Sequence, residues 1–132
     1  MGKEEIKKLT LKDLIAKKTI KDEQKYLKED IYVESLEGEI RFEKPQEEDV
    51  LATMDKISGD SSAQENADAI VSFIYKSCSM LRNKELQDAY GVKDPKDIVK
   101  ELFTLSERDE IGQKLLKMSG IKMKEVAENV KN

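Results

Sequence analysis

The chain has 132 residues, enough for one modest core, with 39% charged residues and a net charge of -4. Charged residues typically make up roughly 25% of a soluble domain, so this composition predicts a thin core beneath a well-solvated surface. Basic and acidic residues are interleaved with no basic block to follow a phosphate backbone, and apolar runs are too short for a transmembrane helix, so neither nucleic acid nor membrane is an expected partner.

In chain order, residues 1–9 are charged and read as a flexible N-terminus without the apolar stretch of a secretory signal. Thr10 with Asp13 forms a capping-box variant that opens a helix reaching about Lys18, with Leu11, Leu14 and Ile15 expected inward. The polar stretch from Thr19 to Asp30 reads as a linker or arm. Two β-like runs follow, Ile31–Leu36 and Glu39–Glu43, joined by Glu37-Gly38 as a tight hairpin and ended by Pro45.

Helices are expected for the rest. Val50, Leu51, Met54 and Ile57 share one face of a helix that stops at Gly59. Ser62 and Glu65 form a capping box for the most apolar helix, over about 64–82. Its stripe is Ala67, Ile70, Val71, Ile74, Cys78 and Leu81, with Phe73 and Met80 beside it, which makes it the central helix. A short helix around Glu85–Tyr90 ends at Gly91. Asp94-Pro95 is a specific helix start, and Ile98, Val99, Leu102, Phe103 and Leu105 form the buried face that follows. Ser106 with Asp109 caps another helix that carries Ile111, Leu115, Leu116 and Met118 and ends at Gly120. Residues 122–132 read as a weakly ordered tail. The expected fold is mainly α (α+β), a single domain over 10–121 with about five to six short helices and one β-hairpin near the N-terminus.

The residues hold little chemistry. There is no His, so the commonest general base and metal ligand is missing, together with every Ser-His or Cys-His nucleophile arrangement. Cys78, the single cysteine, sits on the apolar stripe and reads as a small core residue in a reducing compartment. Gly59, Gly91 and Gly120 read as helix C-caps and form no phosphate loop. Glu47-Glu48-Asp49 and Glu107-Arg108-Asp109-Glu110 lie at helix N-termini, where carboxylates complement the macrodipole without calcium-loop spacing. The expectation is a binding protein that is not an enzyme, with no cofactor and no metal. Two short C-terminal helices compete for one central helix, so Phe103, Leu116, Met118, Ile121 and Met123 are the expected partner-binding patch, partly exposed beside the tail.

Taken in order, several features resemble the tail assembly chaperones of contractile-tailed phages and Bacillus-type defective prophages. They are the Thr10–Leu14 Thr-Leu-x-x-Leu helix, the strand pair and charged run over 31–49, and Leu81-Arg82-Asn83-Lys84-Glu85-Leu86-Gln87-Asp88-Ala89-Tyr90. Asp94-Pro95 with Ile98-Val99 and a helix ending in Ser119-Gly120 complete the pattern over residues 10–121. The resemblance implies a protein that binds the aggregation-prone tape-measure protein while tail-tube subunits assemble around it; tail-tube subunits and a second copy of the chain (self-association) are the further partners to expect. It also implies residence in the cytoplasm of the bacterial host and absence from the mature virion, with no catalytic motif to carry over. The alternative is a structural tail or head-completion protein, or another small bacterial interaction module.

Overall fold

A computed structural model describes residues 6–57 and 59–121. Thr10 caps helix α1 (Leu11–Ala16) as expected: its hydroxyl accepts from Asp13 N–H, and the Asp13 carboxylate accepts from Thr10 N–H. The helix breaks at Lys17 and resumes as α2 (Lys18–Lys25), so the stretch expected to be a linker or arm is partly helical. Neither helix buries a residue. Leu11, Leu14 and Ile15, expected inward, are 74%, 57% and 65% exposed, because α1 and α2 together form an arm and not a layer of the core.

The hairpin is antiparallel, β1 (Lys28–Val33) against β2 (Gly38–Glu43), with Ile31 opposite Ile40 and Asp30 opposite Arg41. Alternation sends Ile31, Val33 and Phe42 into the core and leaves Tyr32 and Glu39 outside. The turn differs from the tight two-residue form. The first strand ends at Val33, Glu34–Leu36 make a 3-10 turn, and Glu37 takes the left-handed conformation at φ 53°; Gly38 is already paired with Val33. Ser35 explains the longer turn, because its N–H and hydroxyl donate to the Glu107 carboxylate at 2.9 and 2.8 Å.

Helix α3 (Glu47–Ile57) packs on α4 (Ala63–Lys76), the central helix, which also meets α6 (Ile98–Leu102) and α7 (Leu105–Met118). The Ser62–Glu65 capping box opens α4 as the sequence predicts. The helix ends at Lys76, earlier than 82, because its final carbonyls find other donors. Arg82 donates to the oxygens of Tyr75 and Lys76 at 3.0 and 2.9 Å, and Glu43 draws the chain away by accepting from Ser79 N–H. Cys78 is therefore beyond the helix, though still fully buried, and Leu81 lies in a 3-10 turn, Ser79–Arg82. Met80, expected to widen the stripe, is exposed. A short α5 (Lys84–Ala89) and a Pro95–Asp97 turn lead into α6.

The cap of α7 is Thr104, with Glu107, two residues ahead of the expected Ser106 with Asp109; Leu105 is consequently outside. Gly112 allows α7 to lie close on α4, since a Cβ there would come within 3.1 and 3.2 Å of the Ile70 side chain. Gly120, at φ 86°, ends the helix in the left-handed region that favours glycine. Among the described residues there are seven α-helices and one two-stranded hairpin, a small α+β domain. Its core joins the inner face of the hairpin to α4, α6 and α7.

Candidate partner-binding surfaces

The five residues expected to receive a partner separate once they are placed in the fold. Phe103 and Leu116 are core residues, 1% and 2% exposed, so neither is a surface contact. The reason is room: because the arm does not pack on α4, that helix can accept both α6 and α7. Met118 and Ile121 are partly buried against the same core. Ile121 also edges a groove of about 600 Å³ with Tyr26, Pro45, Val50, Leu51 and Ser119. Met123 lies outside the described residues.

The apolar surface lies at the other end of the chain. Along the arm, Leu11, Leu14 and Ile15 share a face at helical spacing, Ile20 is half exposed, and Tyr26 is 76% exposed. Solvent-exposed side chains this large, grouped on one short element, are what a protein-recognition helix presents. The arm is also basic: residues 6–27 carry seven Lys against three carboxylates, whereas residues 28–121 carry 13 basic side chains against 21 acidic ones. The arm joins the body at Leu27, whose carbonyl accepts from Lys44 N–H at 2.8 Å. The sequence carried this signal as the 11, 14, 15 spacing, but spacing alone does not say whether anything covers the stripe.

A second groove, about 480 Å³, runs between the first turns of α4 and α7. Ala63, Ala67, Ile70 and Leu105 form its apolar walls, and Arg108 and Asp109 stand at its edge. Asn66 lines it too, and its buried Oδ1 has no hydrogen-bond partner among the described residues. Arg108 is held by donating from Nε to the Phe103 carbonyl.

The displaced pKa values of Cys78, Glu107 and Asp13 have structural causes. Burial pushes the Cys78 thiol up, and its Sγ donates to the Arg41 carbonyl, which leaves an inert core residue. Glu107 and Asp13 are held below the ordinary carboxylate range, first of all by backbone N–H donors of Thr104 and Thr10, which marks them as capping groups. Among the described residues no three His, Cys, Asp or Glu side chains converge to hold a metal, and no helix is long and apolar enough to cross a membrane.

The sequence matches, over residues 3–131, the family model described as phage XkdN-like tail assembly chaperone protein. No curated protein and no solved structure matches it.

Proposed function

The chain belongs to the phage XkdN-like tail assembly chaperone family, and from that premise we propose that it binds the tape-measure protein while the tail tube is built, then leaves. In this role the chain works in the cytoplasm of the bacterial host, performs no catalysis, and is absent from the mature virion. The observation that carries the reading is the arm over residues 6–27, with an exposed apolar face and no residue of either helix in the core. A long helical client prone to aggregation needs its apolar stripes covered reversibly. An amphipathic helix supplies that cover through side chains at positions such as 11, 14 and 15. The groove beside Ile121, Leu51 and Tyr26 lies at the root of the arm and extends the same surface.

The test is co-expression with the tape-measure protein of the same tail, followed by affinity capture and mass spectrometry of purified virions. The expected result is a soluble complex with the tape-measure protein and no copy of this chain in finished particles. A folded chain that fails to retain the tape-measure protein overturns the reading. Stoichiometric presence in virions would make it a structural tail component instead.

A further inference from the structure

The apolar face of the arm lies among lysines, and their places decide what chemistry can cover it. Leu11, Leu14 and Ile15 form a narrow stripe on α1. At about 100° per residue, Lys12 falls on one side of that stripe and Lys17, the residue that caps the helix, on the other. On α2, Lys21 and Lys25 stand one turn apart, to one side of the half-exposed Ile20. Two of the arm's three carboxylates are already taken. Asp13 lies 3.5 Å from Lys7 and accepts from the Thr10 N–H, and Asp22 lies 2.7 Å from Lys18. Among the described residues Lys8, Lys12, Lys17, Lys21 and Lys25 have no ion pair, and Glu23 is the one arm carboxylate outside such pairs. The chain's own acidic body does not answer this charge: with the body in place, all three stripe residues remain more than half exposed and those five lysines stay unpaired.

We propose that the arm selects an amphipathic partner helix whose apolar stripe is bordered by Asp and Glu. The inference rests on the chaperone reading for the partner's role and adds the chemistry by which a client segment is chosen. A helix is the fitting shape, because α1 and α2 offer no open strand edge and are read through side chains alone. A stripe as narrow as Leu11, Leu14 and Ile15 matches the ridge of one facing helix. Lysines on both sides of it then act as the bordering positions of a helix pair do, favouring carboxylates opposite and opposing further lysines. Other acidic surfaces fit less well. A phosphate backbone would use the lysines but leave three large aliphatic side chains in water. An anionic bilayer requires an apolar face along the whole helix, and α2 has one such residue, Ile20, in eight.

The experiment is fluorescence anisotropy of the full-length chain with labelled synthetic helical peptides of about 18 residues, or five turns. Three peptides share one Leu stripe on an Ala background and differ only in the bordering residues, which are Glu, Gln or Lys. The Glu peptide should bind about tenfold tighter than the Gln peptide, the effect of several exposed ion pairs acting together, and the Lys peptide should bind weakest. Raising salt from about 50 to 500 mM should collapse the difference. Lys21→Glu with Lys25→Glu alters exposed side chains, so it should keep wild-type circular dichroism and melting while shifting the preference toward the Lys peptide. Leu14→Glu should weaken all three. Equal affinity for the three peptides overturns the proposal, as does no measurable binding of the Glu peptide, or a preference that the double lysine variant leaves unchanged. Binding without peptide preference to vesicles of about three parts phosphatidylcholine to one part phosphatidylglycerol makes the arm a membrane element and also overturns it. So does self-association of the chain alone that Leu14→Glu abolishes, since a second copy then covers the stripe. A chain that retains the tape-measure protein but ranks the peptides equally keeps the chaperone reading and loses this one. Preference for the Glu peptide without capture of the tape-measure protein has the opposite consequence.

Discussion

Removing the Glu107 carboxylate tests whether the hairpin and α7 are fastened together where the structure places the contact. That side chain accepts three hydrogen bonds, from Thr104 N–H at 3.0 Å, Ser35 N–H at 2.9 Å and Ser35 hydroxyl at 2.8 Å. A net hydrogen bond contributes about 0.5–1.5 kcal/mol, and the solvent-facing site places each of these near the low end. Glu107→Ala should therefore destabilise the fold by about 1.5–2.5 kcal/mol. Glu107→Gln keeps one acceptor oxygen for the Ser35 hydroxyl and Thr104 N–H, but turns an NH₂ toward Ser35 N–H, so it should cost about 1 kcal/mol. For a chain of this size about 1 kcal/mol lowers Tm by roughly 3–5 °C. The acid dependence has a defined sign. Backbone donors of Thr104 and Ser35 hold Glu107 below its ordinary value of 4.5, so its stabilisation is full above that pH and is lost as pH falls through the lowered pKa. Urea titrations from pH 7 to pH 3 should show the wild type converging on Glu107→Gln as the medium becomes acidic. A double-mutant cycle with Ser35→Ala should give a coupling near 1 kcal/mol. If Glu107→Gln is as stable as wild type at pH 7, or the gap persists unchanged to pH 3, the fastening is not there.

Phe103→Glu and Leu116→Glu should abolish cooperative melting, and Phe103→Ala should cost about 3–5 kcal/mol, because both side chains are core; a soluble Phe103→Glu chain with a wild-type thermal transition would contradict their burial. Thr104→Ala should cost about 1 kcal/mol through loss of its cap, whereas Thr10→Ala, which uncaps a helix with no buried residue, should leave the global transition where it is. Cys78 should resist iodoacetamide in the folded chain and react readily in urea, and Cys78→Ser should cost about 1–2 kcal/mol without affecting client capture.

Much of the fold is legible from local chemistry. The Ser62–Glu65 and Thr10–Asp13 boxes, the Asp94-Pro95 start and the stops at Gly59, Gly91 and Gly120 need only side chains that reach their own backbone, or a residue that tolerates positive φ. The misplacements have non-local causes. Thr104-x-x-Glu107 and Ser106-x-x-Asp109 are both plausible caps, and the first prevails where Glu107 also reaches Ser35, 72 residues away. The central helix stops early because Glu43 and Arg82 compete for its end. A candidate binding patch is the least legible feature. Periodicity groups Leu11 with Leu14 and Ile15, and Phe103 with its neighbours, but only packing decides which group is covered. Here the arm stays off the core, and Phe103 and Leu116 fill the space that this leaves.

The arm's helices contain six and eight residues, separated at Lys17, and neither contributes a buried side chain. Isolated helices shorter than about 12–15 residues are marginal in water, so much of the arm's order has to be supplied by whatever it touches. Ordering on contact lowers affinity per unit area and shortens residence time, while a loosely structured segment can still engage quickly. Turnover then becomes a property of the arm's sequence. Each helix-breaking residue at position 17 or 18 would hasten release, and each helix-favouring replacement would slow it. A tail assembly chaperone that had to be displaced subunit by subunit as the tube advances would gain from such an adjustable grip, one that lets go without an input of chemical energy.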